Sequence, residues 1–403
     1  MKPKFYRRVL KSGMTVILEK RELPVVSVAF AVRSGGINES EEERGISHFV
    51  EHLLYKGTKN RSREKIAEEI EKNGGVLNGF TAETMTAYWC KMPSMHLDLA
   101  LDVLSDMVKN PLFKEEEVQK ERKIIFEEIN LHRDNPMRYS VEAAHSLLYE
   151  KPFGINLAGT KEILSKIDRQ RILAWFKENY IPSNMILAVV GDADFEELVS
   201  FAEKNFKAEK ISKKTNPPIR KRNGVKMESR KGVDQANLAF VYHVPLAGDK
   251  KSYAAEVLHS ILSQGMSSRI FRQLREKRDL AYAIVGDSDI NRDFAYNLIY
   301  VGTSKQNVEK VKEIILNEFK AVSESLTEKE LAQTKEQMVG NYLISMEDSQ
   351  DQMVNLLSFE INLDAKNFYE FEKNIRKVKL EDVKNLAKNT LKDYSFFGLL
   401  PCD

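Results

Sequence analysis

Gly45-Ile46-Ser47-His48-Phe49-Val50-Glu51-His52-Leu53-Leu54 sets two histidines four residues apart, with a glutamate directly before the second. Apolar residues recur at Ile46, Phe49, Val50, Leu53 and Leu54, the spacing of a helix with one buried stripe. Positions i, i+3 and i+4 share a helix face, so His48, Glu51 and His52 project together on the side away from that stripe. Two imidazoles one turn apart can bind a single zinc ion, and the carboxylate between them can reach a water beside it. The competing reading is two solvated histidines on a charged helix surface, and only the rest of the chain can supply the context that decides.

The chain has 403 residues, 42% apolar and 30% charged, a globular balance long enough for two domains. A net charge of +2 favours neither nucleic acid nor an acidic membrane as partner. Two cysteines far apart, Cys90 and Cys402, do not make a disulfide framework and fit a reducing compartment. The basic first residues have no apolar run behind them, and no run approaches the roughly 18 apolar residues of a membrane span. A cytoplasmic protein with no membrane partner is the expectation.

Residues 15–19 and 25–32 read as strands, the second apolar throughout except Ser27 and so buried on both faces. An acidic run at 39–43 precedes the histidine helix and is expected in its first turn, where it suits the helix dipole. A helix over 62–72 ends at Asn73-Gly74-Gly75, followed by a strand pair at 76–81 and 85–92. Helical patterns cover 95–109, 114–132 and 138–149, with shorter ones near Lys161 and Gln170, before a buried strand at 185–190. Residues 207–224 carry charge runs and Pro217-Pro218 without periodicity, as a linker does. After it the order restarts. Strands near Val225 and at 237–243 precede helices at 252–262 and 268–277, strands at 280–287 and 295–302, five further helices and a closing strand at 395–400. Ser27-Val28-Ala29-Phe30 is echoed by Asn237-Leu238-Ala239-Phe240. The expected fold class is therefore α+β, with two domains of one fold, 1–206 and 225–403, each a mostly antiparallel sheet packed by helices. The second copy lacks the paired histidines, and its helix carries His259 alone.

A catalytic zinc wants three protein ligands and an open position. Candidates for the third lie in Lys120-Glu121-Arg122-Lys123-Ile124-Ile125-Phe126-Glu127-Glu128-Ile129. Glu121 and Glu128, seven apart, share a face, and Glu127 points about a quarter-turn away. Spacing alone does not choose among them. His96, His132, His145 and His243 have no partner at ligand spacing and read as structural or surface residues, His132 lying one turn past Glu128.

The H-x-x-E-H arrangement is the zinc-protease motif read backwards, the inverzincin pattern. The chain resembles the M16 peptidases, the pitrilysin family that includes insulysin and the mitochondrial processing peptidase. That family pairs H-x-x-E-H with a glutamate some 75 residues on, and His52 to Glu128 is 76 positions. The resemblance implies one zinc per chain on His48, His52 and Glu128, with Glu121 supporting a ligand and Glu51 as general base. It matches Arg275 and Tyr282, seven apart, to a pair that holds substrate backbone and stabilises the oxyanion. Asn78 and Phe80, in Asn78-Gly79-Phe80-Thr81-Ala82-Glu83-Thr84, match a strand that contacts substrate. There the family's glutamate six after the asparagine is replaced by Thr84, with Glu83 one earlier.

From the resemblance comes the expectation of a zinc endopeptidase for short, unfolded or extended peptides. The chain would form half of a clamshell whose chamber needs a second copy, so a homodimer with active sites shared between subunits is expected. The alternatives are a non-catalytic peptide-binding or assembly subunit, as in relatives that lost the motif, and the active subunit of a heterodimer.

Overall fold

The computed structural model describes residues 4–208 and 216–402. The first half runs through β1 (Lys4–Val9), β2 (Thr15–Lys20), β3 (Val25–Val32), α1 (Ile46–Leu54), α2 (Arg63–Glu71), β4 (Val76–Thr81) and β5 (Thr86–Pro93). It continues with α3 (Leu97–Lys109), α4 (Glu115–Asp134), α5 (Pro136–Leu148), α6 (Lys161–Leu164), α7 (Arg169–Asn179), β6 (Met185–Gly191) and α8 (Phe195–Asn205). The second half gives β7 (Val225–Arg230), β8 (Ala236–His243), α9 (Ser252–Ser263) and α10 (Arg269–Phe271), which runs into a π-helical turn over Arg272–Glu276. Then come β9 (Ala281–Ile290), β10 (Ala295–Thr303), α11 (Val308–Ser325), α12 (Glu328–Ser345), α13 (Ser349–Asn362), α14 (Phe371–Lys377), α15 (Leu380–Thr390) and β11 (Ser395–Pro401). Residues 209–215 of the expected linker lie outside the described residues.

The strands form two sheets, ordered β1-β2-β6-β3-β5-β4 and β7-β11-β8-β10-β9. Without β1 the two orders correspond strand for strand. Each has one parallel pair, β2 with β6 and β7 with β11, and is otherwise antiparallel. The expected repeat of one α+β fold is thus present, and the echoed tetrapeptides lie on the corresponding strands β3 and β8.

The chain forms two compact units that are not contiguous in sequence. The first unit comprises Met1–Ile129, Ile155–Pro218 and Ser345–Phe368. Its core alternates along β3: Val26, Val28, Phe30 and Val32 join the main apolar cluster with α1 and α3, while Ser27, Ala29 and Ala31 face the other way. That other face carries small side chains and is covered by α13, which packs on β3 and β6. The seal is partly polar: Ser27 Oγ lies 2.9 Å from Ser349 Oγ, and Gln352 donates to Glu19 at 2.7 Å. Arg7 makes a two-pronged pair with Glu360, both bonds 2.8 Å, and Arg33 reaches the same carboxylate at 2.8 Å. The second unit comprises Asn130–Gly154, Ile219–Ile344 and Tyr369–Asp403. Its sheet is covered on one face by α5, packed on β8 and β11. Strands read as apolar on both faces are apolar because each sheet has two covers, and in each unit one cover comes from the other half of the chain. The boundary at 207–224 separates the strands but not these helices.

Two local expectations change. The acidic run does not enter α1: Glu41–Glu43 form a separate 3-10 turn, and α1 begins at Ile46 after Gly45 in the left-handed region (φ 98°). α8, capped by Asp194, was not anticipated.

Candidate active site

α1 is pinned at its N-terminus by charge. The buried carboxylate of Glu39 accepts from the backbone N–H of Gly45 (2.9 Å) and of Ser47 (2.8 Å), replacing bonds that a first helical turn lacks. Behind it the fully buried Arg44 lies 3.6 Å from Glu39 and donates to Glu83 at 3.0 and 2.5 Å. Glu83 is therefore committed to the base of α1, and Thr84 is buried nearby in the chain. The apolar stripe Ile46, Phe49, Val50, Leu53 and Leu54 enters the core, which leaves His48, Glu51 and His52 half-buried on the other face.

α4 brings the third group. Glu128 Oε2 stands 3.6 Å from Nε2 of both His48 and His52, whose Nε2 atoms are 3.2 Å apart. Zinc bonds of about 2.1 Å at tetrahedral angles put ligand atoms about 3.4 Å from one another. These three separations bracket that value, and two imidazoles plus one carboxylate form a donor set that zinc accepts. Among the described residues, His48, His52 and Glu128 form the cluster suited to a metal ion. Glu127 is exposed, and of the three glutamates it is Glu128 whose carboxylate lies beside both Nε2 atoms.

Glu121, two turns earlier on α4, is buried and lies 3.2 Å from His52 Nδ1. That contact turns Nε2 toward the cluster, and Lys56 at 2.7 Å holds the other carboxylate oxygen. Burial works against ionising Glu121, but the bonds to His52 and Lys56 win and hold its carboxyl below the usual range. Burial likewise lowers the His52 pKa, yet the Glu121 bond and the charges of Glu51 and Glu128 raise it overall. Glu51 is pushed above the ordinary carboxylate range by burial, against the opposing pull of His52 and Thr81. Thr81 Oγ1 on β4 donates to Glu51 Oε2 at 3.3 Å. Lys56, Thr81 and Arg44 carried no sequence signal of their own; Thr81 and Glu83 sit in the stretch already singled out.

Asn78 is exposed on β4, the terminal strand of its sheet, with its Oδ1 accepting from Gly79 N–H at 2.8 Å; Phe80 is half-buried. Arg275 and Tyr282 belong to the second unit. Arg275 Nη1 donates to the carbonyls of Tyr282 and, at 3.3 Å, Ala281, so the two residues meet at the start of β9, a terminal strand of the second sheet. Tyr282 is 49% exposed. Of the remaining histidines, His132 lies 3.3 Å from Glu142 and His145 packs among Tyr149, Phe153 and Tyr296. No helix among the described residues is long and apolar enough to cross a membrane.

A two-unit α+β fold with two imidazoles and a carboxylate converging on one helix face defines a class of metal-binding protein. Comparison with known proteins narrows it. Residues 15–161 match the family description "Insulinase (Peptidase family M16)", and residues 166–338 match "Peptidase M16 inactive domain". An "Uncharacterized zinc protease" of Rickettsia felis is 32% identical over 350 residues, covering 86% of this chain and 85% of the relative. One from Bacillus subtilis is 29% identical, covering 98% of each chain. The chain belongs to the M16 peptidase family. Its fold is similar to the crystal structure of a protease from Helicobacter pylori (TM-score 0.92, 23% identity, 99% of this chain and 100% of that one). It is also similar to a peptidase M16 inactive domain from Pseudomonas fluorescens (TM-score 0.85, 18% identity, covering 99% of this chain and 98% of that one).

Proposed function

We propose that this protein is a zinc-dependent endopeptidase, with His48, His52 and Glu128 as ligands and Glu51 as general base. The observation that carries this is the convergence of three ligand atoms, 3.2 to 3.6 Å apart, beside a glutamate whose carboxyl is desolvated. Zinc held there supplies a water acidic enough to lose a proton near neutral pH and a positive charge for the substrate carbonyl. Glu51 takes the proton as the water oxygen bonds to the carbonyl carbon, then gives it to the amine nitrogen as the C–N bond breaks. Asn78 and Phe80 lie on a terminal strand, an arrangement that favours an extended peptide added as a further strand. Arg275 and Tyr282 supply donors for substrate backbone and for the developing oxyanion.

Replacing Glu51→Gln keeps the ligands and removes the base. Zinc content stays at one per chain while cleavage of a mixed peptide library, read by mass spectrometry, falls by about 100-fold or more, in line with the loss of a general base. Near-normal turnover with full zinc refutes the role of Glu51. Turnover unaffected by chelation in the unaltered protein refutes the zinc reading, whereas no turnover with zinc bound makes a non-catalytic peptide-binding subunit the better account.

The ligands lie in the first unit and the Arg275/Tyr282 pair in the second. A homodimer in which each site draws on two copies fits the family resemblance, and a cytoplasmic location fits the free Cys90 and Cys402. Mixing inactive Glu51→Gln and Arg275→Ala proteins under subunit exchange is expected to restore activity. No recovery, with exchange verified, places each site within one chain.

A further inference from the structure

One turn after Glu51, Tyr55 turns its ring into the first unit, against Tyr88 (centroids 6.1 Å apart). Tyr88 and Tyr180 share a hydroxyl contact of 2.7 Å. The Tyr55 hydroxyl is buried and makes no hydrogen bond among the described residues. An orphan hydroxyl of this kind normally costs stability, so a phenylalanine would be preferred there unless the hydroxyl has work to do.

The hydroxyl fits only because residue 79 is glycine. A Cβ on Gly79 would overlap the Tyr55 hydroxyl, and would stand 2.8 Å from Ala87 O and 3.2 Å from Glu51 Oε1. The phenol and the rear oxygen of Glu51 therefore border one small gap in β4, while Thr81 takes the front oxygen. The second unit repeats the arrangement. A Cβ on Gly286 of β9 would overlap the Ser263 hydroxyl and stand 2.7 Å from His259 Cε1, and there the two side chains, again one turn apart, are in contact at 3.1 Å. In the copy without paired histidines, the gap holds a made hydrogen bond.

We propose that Tyr55 is a positioning residue whose hydroxyl, unbonded in this arrangement, closes by a small side-chain shift across the gap left by Gly79 to donate to Glu51 Oε1, fixing the carboxylate between this phenol and Thr81. The contact deepens the general-base role proposed above and rests on it for its functional meaning. Its existence does not.

The contact is tested first in the zinc-free full-length protein, by melting temperature, in a cycle of Tyr55→Phe and Glu51→Ala. An idle orphan hydroxyl predicts that Tyr55→Phe stabilises equally in both backgrounds. The proposed bond predicts the opposite signs: a lower melting temperature with Glu51 present, and an unchanged or higher one with alanine at 51. Parallel shifts overturn the contact. Gly79→Ala should lower the melting temperature, and by less once Tyr55 is phenylalanine; equal losses overturn the account of the gap. With zinc bound, Tyr55→Phe is expected to lower kcat about tenfold with KM and zinc stoichiometry retained, whereas unchanged kcat overturns the positioning role. If the unaltered zinc-loaded protein cleaves nothing, the peptidase reading fails, and the melting cycle still decides the contact.

Discussion

His52 carries two opposed demands. As a proposed zinc ligand it must present a bare Nε2, yet Glu121, Glu51 and Glu128 all favour its proton and, against burial, leave its pKa above the ordinary imidazole value. In the metal-free protein, protonated His52 contributes stability that is complete below the unfolded pKa and is lost as pH rises through the folded one. Zinc runs the other way, because binding expels that proton, so its hold weakens as pH falls below the folded value. Replacing Glu121→Gln removes a negative charge and the acceptor at Nδ1. Zinc affinity is expected to drop about 10- to 100-fold at neutral pH, with the acid-side loss of binding moved to lower pH. A competition titration against a chromophoric chelator over a pH series checks both, and unchanged affinity and midpoint refute the supporting role. His48, Glu51 and His52 were legible because helical periodicity is local: nine residues suffice to put them on one face. Glu128 was not, since three glutamates fitted the spacing and only resemblance singled it out. Lys56 was invisible, because a lysine one turn past a histidine is common on any helix and becomes informative only when Glu121 arrives from α4.

At the scale of elements, the strands β3, β6 and β8 were readable from nearly unbroken apolar runs, and α13 was placed at its observed bounds, Ser349–Asn362. α8 carries a signal of the same kind, since Asp194 caps it and Phe195, Leu198, Val199 and Ala202 repeat at helical spacing. The acidic run misled because composition near a helix start does not say which residue begins it, and here one glutamate folds back as an anion under the helix. α9, the counterpart of α1, shows what the element does without paired histidines. Burial pushes the Glu256 carboxyl up to about 7, and burial, against the charge of Asp287, pushes His259 down to about 4. Folded Glu256 keeps a proton that the unfolded chain has lost, so its contribution to stability declines as pH rises toward about 7. Folded His259 lacks a proton that the unfolded chain holds, so its contribution grows as pH rises from about 4 toward the ordinary imidazole value. Over the shared acidic window the two slopes, at most about 1.4 kcal/mol per pH unit each, oppose one another. Relative to the unaltered protein, Glu256→Gln should become progressively more stable with rising pH across that window, and His259→Gln progressively less. Urea unfolding at several pH values reads the difference, and slopes of the same sign in both variants refute the assignment.

At the scale of the whole molecule, the sequence told of two similar folds but not of the helix each sheet takes from the other half. Sequence order carries no mark of which sheet a helix will cover, and α13 has an unremarkable surface composition until its buried partners are known. Those partners are specific. Met353, Leu356 and Leu357 are fully buried, and burying side chains of this size is worth about 1.5–3 kcal/mol each. The three together rival much of the roughly 5–15 kcal/mol by which a folded domain is stable. Around them, Glu360 is held by Arg7 and Arg33, and Gln352 by Glu19. A chain of residues 1–224 carries every proposed zinc ligand yet lacks α13, and it leaves open the face of β3 and β6 that α13 covers. It should therefore aggregate or bind an apolar dye when made alone, even with zinc present. Residues 225–403 alone should fail for the matching reason, the loss of α5 from β8 and β11. Made together, the two fragments can exchange helices, and they are expected to co-purify as a soluble pair that binds one zinc and unfolds cooperatively. If residues 1–224 fold alone, bind zinc and melt cooperatively without their partner, α13 is an accessory to the first sheet rather than part of it, and the zinc site needs only the contiguous first half of the chain.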